Sequence, residues 1–107
     1  MEYSKIEKLG VNPSLLGFGC MRFPKKEDGT IDEAEAERMI DHAIANGVTY
    51  IDTAYPYHDG ESEPFVGRVL KKYKRKDFYL ATKLPMFKIN SLEQAKEIFE
   101  EQMKRLD

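Results

Sequence analysis

Three residues far apart in this sequence carry side chains that together make one kind of acid: Asp52, Tyr57 and Lys83. A free tyrosine holds its proton with a pKa of about 10. A lysine ammonium beside a phenol favours the phenolate, which makes the phenol a better proton donor. A carboxylate paired with that lysine keeps it charged and in place. Such a trio can give a proton to a carbonyl oxygen as a hydride reaches the carbon, which is general acid catalysis with electrostatic support. The plainer alternative is a salt bridge between two strand ends and an unrelated loop tyrosine.

The elements must bring these residues together. Three short apolar runs, near 15–19, 48–51 and 78–82, read as strands. None alternates apolar with polar, which predicts strands covered on both faces, as in a parallel sheet. Helical patterns fall near 33–46, 63–73 and 92–106. In the first, Ala36, Met39, Ile40, Ala43 and Ile44 share a face. Asp32 can cap its start, with Glu35 three residues on, and Gly47 suits the position past its end. In the second, Ser62 is the candidate N-cap, Pro64 lies in the first turn, and Val66, Val69 and Leu70 form the stripe. The third opens on Ser91 and Gln94, another capping box, and its stripe is Leu92, Ala95, Ile98, Phe99, Met103 and Leu106. "YSKIEKL" before the first run reads as a short hairpin arm.

The order is β-α-β-α-β-α. Gly19, Asp52 and Lys83 close the three runs about one βα unit, roughly 30 residues, apart. An open doubly wound sheet and a closed (β/α)8 barrel both use such units. A barrel takes about 250 residues, so this chain would hold three of its eight units. In both folds the C-terminal strand ends carry the site, so Asp52, Tyr57 and Lys83 would meet on one face. The open nucleotide-binding sheet is the weaker reading. Its G-x-G-x-x-G turn is missing after the first run, where the chain reads "GFGCMR".

Bulk properties narrow the partners. The chain has 107 residues, 41% apolar and 34% charged, with a net charge of −2, which suits a small domain or part of a larger one. No basic surplus exists to neutralise nucleic acid phosphates. The cluster Lys71, Lys72, Lys74, Arg75 and Lys76 reads as a solvated helix end. A single cysteine, Cys20, allows no intrachain disulfide and points to a reducing compartment; it reads as a small buried thiol. No apolar run is long enough to span a membrane, and "MEYSKIEKLG" lacks a signal peptide's apolar core, so a cytoplasmic protein is expected. His42 reads as a helix-face residue and His58 as an exposed loop residue. Neither has further ligands at metal-binding spacing, so no metal site is expected.

The segment "GVTYIDTAYPYHDGESEPFVGRVL" resembles the signature of the aldo-keto reductases. "LATKLP" resembles their lysine strand, and "LLGFGCMRFP" their first strand and following turn. "GFGCMRFP", "DTAYPYH" and "ATKLP" together are similar to a microbial branch whose members often carry a C-terminal ferredoxin-like [4Fe–4S] domain. No such domain is in these 107 residues. The resemblance implies an α/β chain forming the N-terminal portion, about three βα units, of a TIM (β/α)8 barrel. It implies NADP(H) as cofactor and reversible reduction of small-molecule aldehydes and ketones. It makes Tyr57 the general acid, Lys83 the group that tunes it, and Asp52 the partner of Lys83, beside the cofactor. Gly19, Met21 and Arg22 match the segment passing the nicotinamide end, and Tyr55 is wall or packing. The family's catalytic histidine ends the next strand, and its adenosine-phosphate pocket comes from late strands. These 107 residues alone are therefore expected to be inactive and to self-associate through exposed barrel edges. A non-catalytic reading stands beside this one: a truncated βα fragment serving as a binding or assembly module.

Overall fold

The Asp32 carboxylate accepts the Glu35 amide at 3.3 Å and starts α1, Glu33–Ala45, as its capping pattern predicts. Ala36 and Ile40 lie on the buried face of this helix. Gly47, at φ +96°, turns the chain out of the helix, and a Cβ there would stand 2.8 Å from the Met1 Cβ. The computed structural model describes residues 1–107.

Three strands follow the apolar runs: β1 (Gly17–Gly19), β2 (Tyr50–Asp52) and β3 (Tyr79–Ala81). They form one parallel sheet in the order β1-β2-β3. An order that follows the sequence suits a barrel, and it is shared by the first half of a doubly wound sheet, which reverses only at its fourth strand. The register aligns Phe18, Ile51 and Leu80 in one row and Gly19, Asp52 and Ala81 at the C-terminal edge.

The expectation of cover on both faces fails. Phe18, Ile51 and Leu80 face the core, where Ile51 meets Ile40 of α1 and Val66 of the following helix in one cluster. The rows on either side point away from the helices, and Gly17, Gly19 and Tyr50 are exposed. The molecule is accordingly a slab, 42 × 40 × 21 Å. Its radius of gyration is 14.7 Å, against about 13 Å for a compact chain of this length.

Strand pairing also begins later than the first apolar run. Leu15 and Leu16 are 63% and 61% exposed. The Leu15 amide is taken by the Glu2 carbonyl at 2.9 Å, within the N-terminal arm, rather than by the sheet. That arm does turn back on itself, with Tyr3 opposite Ser14 and Ile6 opposite Val11. It is tied to the sheet by reciprocal bonds between Ser14 and Thr49, each 2.9 Å.

The other helices are α2 (Ser62–Leu70) and α3 (Leu92–Leu106). Ser62 does not cap α2; it is the first helical residue, and its buried hydroxyl bonds the Thr53 hydroxyl at 2.8 Å. Ser91 does cap α3, accepting the Gln94 amide at 3.1 Å. The apolar stripe of α3 is not its buried face. Leu92, Phe99 and Met103 are exposed, and Gln102 is the residue that is buried. The reason is that α3 docks on α2 through its Gln102–Leu106 end, with backbone close to Gly67. A Cβ on Gly67 would meet the Arg105 carbonyl oxygen at 2.5 Å. Gly67→Ala should therefore destabilise the chain by about 1–3 kcal/mol, as overpacking does. Urea denaturation checks this; an unchanged midpoint would mean that α3 slides at little cost.

Candidate active site

Asp52 ends β2, and Lys83 follows β3 by two residues. Adjacent parallel strands put both at one sheet edge, and the Lys83 ammonium donates to the Asp52 carboxylate. The same ammonium donates to the Thr53 carbonyl at 2.9 Å. It also lies 5.1 Å from the centre of the Tyr57 ring. Tyr57 opens the turn after β2, its amide held by the Ala54 carbonyl at 3.2 Å. The three residues that the sequence separates are thus gathered at the C-terminal end of the sheet. Burial alone would lower the pKa of Lys83. Interaction with Asp52 and Tyr57 outweighs it and raises the value above that of an ordinary lysine. Lys83 is therefore a fixed cation at neutral pH.

Gly19 stands next to Asp52 in the register. Met21 and Arg22 follow it, both exposed. Cys20, between Gly19 and Met21, is buried, and its amide bonds the Asp52 carbonyl at 2.8 Å. Its thiol is pushed up to about 12 by burial and then by the Asp52 charge, with Lys83 pulling the other way. Thiolate is the reactive form. Cys20 should resist iodoacetamide at pH 8 in the folded chain and react once urea unfolds it. Rapid labelling of the native chain would contradict this placement.

Of the two alternatives for Tyr55, wall or packing, the structure takes packing, and His58 is not where the sequence puts it. Tyr55 turns away from the trio towards α3: the Arg105 guanidinium lies 4.3 Å from its ring centre, and its hydroxyl donates to Glu101 at 3.2 Å. It packs, but it is no wall of this site. His58 is not a solvated bystander. Its ring stacks on the buried Phe23 at 5.4 Å, and its Nε2 accepts the Phe23 amide at 3.0 Å.

A further group escaped the sequence reading altogether. Glu63, in the first turn of α2, is fully buried. It accepts from the Thr82 hydroxyl at 2.8 Å, the Gln102 amide at 3.0 Å and the Arg105 guanidinium at 3.3 Å. Gln102 also donates to the Lys83 carbonyl at 2.9 Å. This network stands directly behind the lysine. Spacing offered a signal, because Glu63 shares a helix face with Val66, Gly67 and Leu70. No group of three or more His, Cys, Asp or Glu side chains is placed to hold a metal ion, and no helix is long and apolar enough to cross a membrane.

The sequence pattern of the aldo/keto reductase family matches residues 15–107. This chain belongs to that family. The aldo-keto reductase YhdN of Bacillus subtilis is 39% identical over 84 residues, which is 78% of this chain and 25% of that protein. The probable aldo-keto reductase 1 of Glycine max is 33% identical over 111 residues, 96% of this chain and 32% of that protein. Among solved structures, the holo form of aldo-keto reductase AKR11C1 from Bacillus halodurans superposes with a TM-score of 0.76 at 32% identity, over 99% of this chain and 36% of that one. The fold is therefore an aldo-keto reductase barrel in part: three βα units with a parallel sheet. The chain spans about a quarter to a third of the length of these curated relatives.

Proposed function

We propose that these residues serve an oxidoreductase that reduces aldehydes and ketones to alcohols with NADP(H), with Tyr57 as the general acid. The observation that supports this reading is one ammonium, Lys83, bonded to Asp52 and set against the Tyr57 ring at the strand ends. Tyr57 gives its phenolic proton to the carbonyl oxygen of the substrate. Lys83 stabilises the phenolate left behind, and Asp52 holds Lys83 charged and aimed. When bound, the reduced nicotinamide supplies the hydride for the carbonyl carbon.

The residues present fit that cofactor's nicotinamide end. Gly19 leaves the strand end bare, since a Cβ there would touch nothing within 4 Å. Gly19, Met21 and Asp52 would flank the ring. Arg22, which enters no ion pair, has a free guanidinium for a polar edge. A [4Fe–4S] cluster finds no such fit, because it takes four thiolates and the chain has only Cys20; a cluster would belong to a separate domain. A lone cysteine kept as a buried thiol suits the cytoplasm.

The deciding experiment follows alcohol formation from an aldehyde with NADPH, in wild type and in Tyr57→Phe, using a polypeptide that carries the whole barrel. Undiminished turnover in the variant would sink the assignment.

A second reading has its own observation. One sheet face is uncovered, and Leu15 and Leu16 beside it are exposed. Apolar surface of this kind favours association with another copy, with the trio unused. An equilibrium titration with NADPH of a polypeptide carrying the whole barrel separates the readings. Micromolar binding favours the site, and its absence favours an assembly role.

A further inference from the structure

The turn after Tyr57 is built in an unfavourable conformation. His58 and Asp59 both have φ +53°, and Gly60 follows at +87°. Two successive non-glycine residues in the left-handed region persist only where the surroundings impose it. For His58 the surroundings are specific. Its Nε2 accepts the Phe23 amide, its ring stacks on Phe23, and its Nδ1 is buried with no hydrogen-bond partner. Phe23 in turn packs edge-on against Phe65 of α2 at 5.2 Å and lies near Phe18 of β1. The imidazole is thus the one polar bond from the turn carrying Tyr57 to the segment carrying Met21 and Arg22.

We propose that His58 is a positioning residue: as a neutral imidazole it clasps the loop after β1 to the turn after β2, and so sets Met21 and Arg22 against Tyr57. The inference rests on the reading of that trio as the reductase site. The chemistry of the clasp is simple. Nε2 must be unprotonated to accept an N–H, so the remaining ring proton is on Nδ1. A second proton would put Nε2–H against the Phe23 N–H, donor against donor, and the bond is lost.

The charged groups around the ring are few. Burial first, then Lys25 on the clasped loop, lowers the pKa of His58; Asp59 on its own turn and the Cys20 backbone oppose them. From α2, the apolar Phe65 packs on Phe23. With the folded pKa below the ordinary value of 6.5, the clasp is complete above pH 6.5. It is lost as pH falls through the lowered value.

The test is an NMR titration of the 107-residue chain from pH 7.5 to 4.5, with amide exchange at each step. Exchange rates are compared with intrinsic rates to give protection factors. Wild type should show the neutral Nδ1–H tautomer at pH 7. Its Phe23 protection should fall about tenfold or more on acidification, the loss of one hydrogen bond. The Tyr57 ring resonances should move with the same midpoint. His58→Gln places an uncharged acceptor near Nε2, so Phe23 should stay protected and the pH dependence should vanish. His58→Gly relaxes the turn and should leave Phe23 unprotected at every pH. Phe23 protection that ignores pH in wild type, or follows pH equally in His58→Gln, overturns the clasp. Tyr57 resonances that stay fixed while Phe23 is released overturn the positioning role. None of these readouts involves turnover or NADPH, so a failed reductase assignment leaves them unaffected and is told apart from a failed clasp.

Discussion

Replacing Tyr57 with phenylalanine, in a polypeptide carrying the whole barrel, should lower kcat for aldehyde reduction by about 10²–10⁴-fold, the usual contribution of a general acid. NADPH affinity should stay as in wild type. The variant keeps the ring that packs 5.1 Å from the Lys83 ammonium and removes only the proton donor. A proton donor acts in the transition state, so kcat and kcat/KM should fall together while binding is spared. Lys83→Met should approach the same loss by a different route. It leaves the phenol but removes the cation that supports the phenolate, and it strips Asp52 of its partner. Tyr57→Phe combined with Lys83→Met should then cost little more than either alone, because the residues act as one unit. Steady-state kinetics and a separate cofactor titration check both statements. A Tyr57→Phe rate within a few-fold of wild type, or two losses that simply multiply, would leave the trio as a structural salt bridge beside a loop tyrosine.

The convergence of the trio was legible because it depends on periodic features. Apolar runs mark where strands end, equal βα lengths make successive strands neighbours, and parallel neighbours align their C-terminal ends. Asp52 and Lys83 follow from those facts alone. What was illegible depends on what an element packs against. Helical spacing puts Leu92, Phe99 and Met103 of α3 together, but it does not say that α3 leans on α2 with Gln102 inward and leaves them exposed. Glu63 is an acid in a helix's first turn, where acids are common, so its type and its place in that turn single it out for nothing. Its burial requires Thr82, Gln102 and Arg105, which lie 19 to 42 residues away. His58 was misread because its burial depends on Phe23, 35 residues away, and a left-handed turn is only weakly written in His or Asp. The run His58, Asp59, Gly60 was the only hint of it.

Glu63→Ala carries the largest expected cost to stability. A buried ion pair broken from one side typically costs about 3–5 kcal/mol, because the partner charge and donors are left unmatched. That is a large share of the 5–15 kcal/mol or so that holds a typical domain folded. Here Thr82, Gln102 and Arg105 would all lose one acceptor. Glu63→Gln should cost less, since it keeps an oxygen in place, though its amide meets the same donors. Arg105→Met should not be mild either: it strips the fully buried Glu63 carboxylate of its counter-ion and leaves only the Thr82 and Gln102 donors to hold it. Urea denaturation at pH 7 orders the three variants. The order also reaches the site, because Gln102 holds the Lys83 carbonyl while it bonds Glu63. Losing Glu63 frees Gln102 to turn, and the strand end that aims Lys83 at Asp52 should loosen with it. A Glu63→Ala chain as stable as wild type would mean that α3 docks without the network, and Lys83 would then owe its placement to Asp52 and Thr53 alone.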